Sequence, residues 1–274
     1  MGGGFHCRHA QTSDVVTLHG IYDIDPAKRE AARAKGIFAY ETLEEVLSDP
    51  AVDLITVAVP NDAHKGIVIA ALEAGKNVIC EKPVAMSSAE LEEMIAAANR
   101  NGKLFTVHQN RRWDTDKMRI DALYHKGELG KIVSIESRVH GSRGIPGDWR
   151  KVKAQGGGMV LDWGVHLLDQ AIMILKDVKI TSVYARLDYI TVPEVDDGCH
   201  IVLGFENGVS YTVEVGTSNY INLPRFYMRG EKGTAIIVNW NEPMQVVVKK
   251  DGKRKGCHPH PRRVGSYQDH GSPW

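Results

Sequence analysis

The sequence predicts an α/β chain in two parts. A parallel sheet layered with helices comes first, then an α+β part whose sheet is mostly antiparallel and open on one face. Two observations carry this. Up to about residue 110, short apolar β-branched runs alternate with helical stretches of roughly 10–15 residues, the pattern of βαβ units. After about residue 130, strand-like runs follow one another through short turns such as Glu206-Asn207-Gly208. Only one strong helix interrupts them, at about 159–175.

Each element has a local reason. Residues 15–22 form an apolar, strand-like run that ends in Asp23. Pro26 suits a helix start, and residues 27–35 are rich in helix formers. Residues 42–47 read as a short helix with Thr42 near its N-cap. Residues 52–59 read as a buried strand, 62–74 as a helix closed by Gly75, and 77–80 as another strand. Ser87 or Ser88 caps a helix that runs to about Arg100 and stops at Asn101-Gly102, and residues 104–107 return to a strand. Further strand candidates are 131–140, 179–189, 200–206, 208–215, 225–229, 235–238 and 245–249. The expected division is 1–110, 111–250 and a tail at 251–274. The tail holds His258, His260 and His270 among prolines, glycines and basic residues, with Val264 its only other aliphatic residue. Such a stretch cannot bury enough surface to fold alone. It reads as a flexible tail or as sequence that has left its natural reading frame near residue 251.

Composition excludes several classes. Of 274 residues, 43% are hydrophobic and 25% charged, close to the average of soluble globular proteins. Disordered, collagen-like and disulfide-miniprotein chains are set aside. The 34 basic and 34 acidic residues balance, whereas a nucleic-acid binder normally carries a basic excess, so no nucleic-acid partner is expected. The apolar runs fall short of the roughly 20 residues a membrane span needs, so no membrane association is expected either. The start MGGGFHCRHA is not an apolar signal peptide. The four cysteines lie far apart without a CxxC pair, so the chain reads as reduced and cytoplasmic.

Chemistry gathers at four places. Gly2-Gly3-Gly4-Phe5-His6 reads as part of a dinucleotide phosphate loop leading into a helix, where glycines admit the pyrophosphate and a helix N-terminus favours an anion. An acidic residue about 20 positions on takes the ribose hydroxyls in such sites, and Asp23 fills that place. Its carboxylate repels a 2′-phosphate, so NAD is expected ahead of NADP. A floppy glycine-rich end is the competing reading. Pro60-Asn61 follow a buried strand and lead to His64 at a helix start. Strand carboxyl ends are where open α/β sheets bind ligands, and helix capping is the competing reading. Cys80-Glu81-Lys82-Pro83 ends the next strand. Burial or nearby positive charge tunes a lysine there for acid/base work, and a surface lysine in a turn is the competing reading. Gly156-Gly157-Gly158 enters a helix on which Asp162 and His166 stand four apart on one face, with Asp169 near it. A carboxylate beside a histidine fixes its tautomer or raises its pKa, and a helix-surface ion pair is the competing reading. His6-Cys7-x-His9 and Cys257-His258-x-His260 lie in irregular ends without a matching second pair, so no metal site is expected.

Glu81-Lys82-Pro83, Asn110-Arg111-Arg112-Trp113 and the run from Gly156 to Asp169, with its Asp162-x-x-x-His166 pair, together resemble the Gfo/Idh/MocA family. That family includes glucose–fructose oxidoreductase and inositol dehydrogenases. The resemblance covers about residues 2–245. It implies an N-terminal NAD(P)-binding Rossmann domain and a C-terminal domain whose open sheet often forms the oligomer interface. It implies that Lys82 and His166 are the catalytic acid/base groups and Asp162 their partner. It places Asp23, Pro60, Asn61, Glu81, Asn110, Trp149 and Arg150 around the cofactor, joining Gly3, Gly4, Phe5 and His64 from the positional reading. The family's Lys-Pro bond is often cis, so a tight turn is expected at Lys82-Pro83. Family members begin with a strand before a G-x-G-x-x-G loop. Aligned on His9-Ala10, Met1 falls where the first glycine belongs and His6 where the third belongs. The expected Rossmann sheet therefore lacks its first strand, which is central in the 3-2-1-4-5-6 order. Members also continue past residue 251 with ordered chain, so both ends are expected to be incomplete.

The expected activity is hydride transfer between a nicotinamide and a secondary alcohol or ketone of a sugar or cyclitol. Lys82 or His166 takes the hydroxyl proton, and Asp162 holds His166 in the productive tautomer. A polyol suits a crevice lined by His, Asp, Lys, Arg, Asn and Trp, since each hydroxyl needs a partner. A homo-oligomer, dimer or tetramer, is expected through the C-terminal sheet. Two other readings stay open: a non-catalytic relic or regulatory binding protein with an impaired cofactor site, and a lyase or hydrolase that uses tightly held NAD as an internal redox aid.

Overall fold

Backbone contacts divide the computed structural model into two units, residues 1–108 with 154–156, and residues 109–153 with 157 onward. The structure describes residues 2–249, and the tail singled out above lies outside them.

The first unit opens with helix α1 (Cys7–Thr12), α2 (Pro26–Arg33) and α3 (Leu43–Ser48). Asp25 caps α2 by accepting from the Ala27 N–H, with Pro26 in the first turn, and Thr42 caps α3 by accepting from Glu45. Strands β1 (Leu54–Val57), β2 (Asn77–Cys80) and β3 (Phe105–Val107) then form a parallel sheet in the order β1-β2-β3. Their carboxyl ends are flush, because Val57 pairs with Cys80 and Cys80 with Val107. Helices α4 (His64–Glu73) and α5 (Ser88–Asn101) make the crossovers that parallel pairing requires. Ser87 accepts from the Glu90 N–H at the start of α5, and Gly102, at φ 61°, ends it in the left-handed conformation. Val57, Val68, Leu72, Val78, Cys80, Met94 and Ala97 form the core between sheet and helices.

Two expectations change here. Residues 15–22 are not a strand. Among the described residues one parallel bridge, Ile21 to Ala39, is all their pairing, and Val15 is 84% exposed. An extended segment becomes a stable strand only with a continuous ladder and a buried face, and this segment has neither. The Gly2–His6 run is not an open loop either. It is a π-type helical turn that continues directly into α1.

The second unit is built on seven strands: β4 (Ile132–His140), β5 (Ile180–Asp188), β6 (Gly198–Phe205), β7 (Ser210–Gly216), β8 (Phe226–Gly230), β9 (Gly233–Ile237) and β10 (Gln245–Val248). Their order is β10-β9-β8-β4-β7-β6-β5. All neighbours are antiparallel except β4 and β7, which run parallel from Ser134–Ser210 to His140–Gly216. Alternate residues of β6 and β7 are buried, among them Ile201, Leu203, Tyr211, Val213 and Val215. Helix α6 (Thr115–Lys126) and helix α7 (Val165–Ile174) pack together over this face. Edge strand β5 is exposed along most of its length. The expected helix at about 159–175 is α7, entered through a π turn at Val160–Gly164. Helix α6 was not anticipated by the pattern, because its buried residues include Asp116 and Lys117 beside Ile120 and Leu123.

Candidate functional site

The flush carboxyl edge of the first sheet collects polar side chains. Pro60-Asn61 come shortly after β1, Glu81-Lys82-Pro83 directly after β2 and His108 directly after β3. Asn61 is buried and donates from Nδ2 to the Gly156 carbonyl at 2.9 Å. The Lys82-Pro83 peptide is cis. His64 is fully buried, with Nδ1 2.9 Å from the Pro83 carbonyl and Nε2 3.1 Å from that of Val59. It thus ties the turn after β2 to the end of β1. Burial lowers its pKa, against the opposing pull of those carbonyls. The sequence offered His64 as a cofactor contact; in the structure its ring lies between these two backbone carbonyls.

Glu81 and Lys82 are both buried. Glu81 Oε1 lies 2.7 Å from His6 Nε2 and 3.1 Å from His108 Nδ1, and Oε2 accepts from the Lys82 N–H at 3.2 Å. Burial pushes the Glu81 carboxyl up, but hydrogen bonds from His108 and His6 outweigh it and hold it well below the usual carboxylate range. Phe5 closes the cluster: its ring meets His9 edge-on at 4.4 Å and lies 5.7 Å from His108. Gly3 and Gly4 lie in the preceding helical turn. Asp23 accepts from the Asp25 N–H at 2.9 Å, with Lys28 Nζ 3.5 Å from its carboxylate.

In the second unit, Gly157-Gly158 lead into the π turn. A Cβ on Gly157 would run into the Arg150 carbonyl and one on Gly158 into the Asp196 carboxylate. That carboxylate accepts from the Val160 N–H at 2.8 Å and anchors the turn. Asp162 pairs with Arg150 Nε at 3.1 Å, and the Arg150 guanidinium lies 4.6 Å over Trp149. His166 is buried, its Nδ1 3.0 Å from Gln109 Oε1. An amide oxygen only accepts, so Nδ1 carries a proton in this contact. Gln109 thus holds His166 at Nδ1, and the sequence assigned an orienting role to Asp162. Asp169 forms a two-pronged pair with Arg112, at 2.8 and 2.6 Å. The Asn110–Trp113 segment is a 3₁₀ turn, and Arg111 stacks on Trp163 at 4.6 Å. A cavity of about 360 Å³ is lined by His140, Arg143, Met159, Asp162, Trp163 and Thr217.

Sequence reasoning missed His108 and Gln109. The signal was present: both follow a predicted strand, as Asn61 and Lys82 do.

A parallel, helix-layered unit with polar residues at its strand ends has the architecture of nucleotide-binding α/β proteins. The family description "Oxidoreductase family, NAD-binding Rossmann fold" matches residues 1–109, and "GFO/IDH/MocA C-terminal domain" matches residues 118–236. The chain belongs to this oxidoreductase family. It is 34% identical over 172 residues to "Uncharacterized oxidoreductase C115.03" of Schizosaccharomyces pombe, covering 62% of this chain and 47% of that protein. It is 29% identical over 235 residues to "scyllo-inositol 2-dehydrogenase (NADP(+)) IolW" of Bacillus subtilis, covering 83% of this chain and 64% of that one. The chain thus spans less than two thirds of the length of either relative. Among solved structures, an NAD-binding protein from Listeria innocua is similar, with a TM-score of 0.89 and 48% identity over 92% of this chain and 72% of that one.

Proposed function

We propose that this chain is a nicotinamide-dependent dehydrogenase acting on a secondary alcohol or ketone of a sugar or cyclitol. The observation that supports this most is the flush carboxyl edge of the parallel sheet, where Asn61, Glu81, Lys82 and His108 follow three adjacent strands. Doubly wound sheets take nucleotides at that edge, and buried polar groups there suit the amide and hydroxyls of a nicotinamide riboside. In this reading Asp23 takes the adenosine ribose, and Gly3, Gly4 and Phe5 offer backbone N–H groups at the open end of the N-terminal helical run. Pro60 and Asn61 line the nicotinamide end. Asn110, Trp149 and Arg150 keep the cofactor-facing roles that the family resemblance implies. The Asp23 carboxylate favours NAD over NADP, whereas Lys28 beside it would attract a 2′-phosphate.

The nicotinamide supplies the hydride acceptor. The protein's own groups move the proton: Lys82 and His166 are the acid/base candidates, and Gln109 orients His166 through its Nδ1–H. Asp162, fixed by Arg150, lines the 360 Å³ cavity with Arg143, Thr217 and His140, which match hydroxyls, and Trp163, which matches the apolar face of a ring. The relative named as a scyllo-inositol 2-dehydrogenase supports a cyclitol among the first substrates to try. No observation favours the non-catalytic alternative.

Association through the second unit's sheet belongs to the same proposal. Exposed Val183, Tyr184 and Leu187 on β5 give it an apolar edge. A cytoplasmic setting also belongs to it: Cys7, Cys80 and Cys199 are buried free thiols, and no helix among the described residues is long and apolar enough to cross a membrane.

Calorimetry with NADH and NADPH, beside Asp23→Ala, tests the proposal, followed by a screen of inositols and aldoses. Micromolar binding of NADH that Asp23→Ala weakens, with turnover of a polyol that Lys82→Ala and His166→Ala each abolish, is the expected result. No binding of either nucleotide at millimolar concentration overturns it.

A further inference from the structure

We propose that His6, Glu81 and His108 form a binding site for a divalent transition metal, with zinc the ion their chemistry suits best. The three donor atoms, His6 Nε2, Glu81 Oε1 and His108 Nδ1, all lie within 4.8 Å of one another. Two of the separations are 2.7 and 3.1 Å. Donors bound tetrahedrally to zinc at roughly 2.0–2.1 Å stand about 3.3 Å apart. Small side-chain rotations therefore bring the three onto one ion.

The donor set is selective. Two imidazoles and one carboxylate are the ligands of a zinc site that keeps a coordination position open. Imidazole nitrogen also suits copper, nickel and iron, whereas magnesium and calcium prefer an all-oxygen shell. No thiolate stands in the set.

The site is built by the fold. Glu81 and His108 follow paired positions Cys80 and Val107 at the ends of adjacent strands. His6 comes from a segment 75 positions away. Glu81 is 6% exposed and its second oxygen is held by the Lys82 N–H, so the carboxylate is oriented in advance. The imidazoles of His6 and His108 meet edge-to-face with centroids 4.8 Å apart, and Phe5 packs on both. Both histidines remain partly exposed, which leaves an entry path. The inference rests on these side chains alone and stands whether or not the chain oxidises a polyol.

The test uses the metal-free full chain, titrated with zinc by calorimetry and with cobalt as a coloured probe. One ion per chain is expected. Because even outer-sphere partners are worth about 10–100-fold in affinity, His6→Ala and His108→Ala should each weaken binding by at least about a hundredfold. The tail variant His258→Ala/His260→Ala should leave it unchanged. Circular dichroism checks that each variant folds, and X-ray absorption at the zinc edge of the unaltered chain supplies a readout that needs no variant: two imidazoles with oxygen and no sulfur. Unchanged affinity in folded His6→Ala and His108→Ala, loss of the ion with the tail histidines, or sulfur at the metal would each overturn the proposal.

Discussion

Asp116→Asn is expected to be among the most damaging isosteric substitutions in the second unit. Asp116 and Arg225 pair at 2.9 Å with both side chains only 2% exposed. Arg225 also donates to Ser137 Oγ at 2.6 Å and Gln170 Oε1 at 3.1 Å, and its guanidinium lies 4.2 Å from the ring centres of Phe226 and Trp240. Burial lowers the Arg225 pKa, and the Asp116 charge opposes that shift. At an effective dielectric constant of about 20, unit charges 2.9 Å apart attract by about 6 kcal/mol, most of which offsets desolvation. Asparagine keeps the shape and removes the charge, leaving the buried guanidinium without its paired carboxylate and with the Asp114 charge left to oppose its burial, at a cost of about 3–5 kcal/mol. With a urea slope of about 2 kcal/mol/M, the unfolding midpoint falls by about 2 M. Trp113, Trp149, Trp163 and Trp240 all lie in the second unit, so tryptophan fluorescence follows its transition. The double change Asp116→Leu/Arg225→Met removes both charges and should lose less than the sum of Asp116→Leu and Arg225→Met alone. A loss below about 1 kcal/mol for Asp116→Asn, or strict additivity in the double change, would refute the reasoning.

Gln109→Leu should release the His166 tautomer: nitrogen-15 shifts of His166 will move from an Nδ1–H pattern to a mixture, and kcat will fall about 5- to 150-fold, the equivalent of about 1–3 kcal/mol for a buried N–H left unsatisfied. Hydrogen bonding by His140 pulls the Glu214 carboxyl down to about 2, with Arg138 adding to the effect against burial. A depressed carboxylate stabilises the fold above its unfolded pKa of about 4.3 and loses that contribution as pH falls toward 2. Urea unfolding at pH 6 and pH 3 should show Glu214→Gln less acid-sensitive than the parent by about 1 kcal/mol, since solvent screens part of the interaction. Gly158→Ala combines φ +107° with a collision against Asp196; it should cost about 2 kcal/mol or more, read as a lowered thermal midpoint.

Much of the fold was legible because its signals are local. Ser87 and Gly102 mark α5 at both ends, and the short turn Glu206-Asn207-Gly208 between two strand-like runs announces the β6–β7 pair. Residues 15–22 misled because their composition is that of a strand while pairing depends on neighbours far along the chain. Helix α6 escaped because burying Asp116 is made tolerable by Arg225, more than a hundred positions away. The candidate site divides in the same way. Asn61, Glu81 and Lys82 were found from the rule that strand ends carry chemistry, which applied to β3 would also have given His108 and Gln109. That Gln109 lies against His166, 57 positions on, or His6 against Glu81, is a product of topology. No local pattern encodes it.

The parallel pairing of β4 with β7 sets the order in which the larger sheet can assemble. Strands β5-β6-β7 and β8-β9-β10 are each joined in chain order by antiparallel neighbours. Each trio can zip up with little loop to close. Strand β4 lies between the two trios, and the pair Arg138–Glu214 alone spans 76 positions. Closing a loop of that size must precede any gain from the contacts it allows. The middle of the sheet is therefore its slowest part to form, and residues of β4 govern the folding rate more than those of either flank. Until β4 docks, both trios present bare inner edges, so this strand also guards the folding chain against edge-to-edge association with other copies.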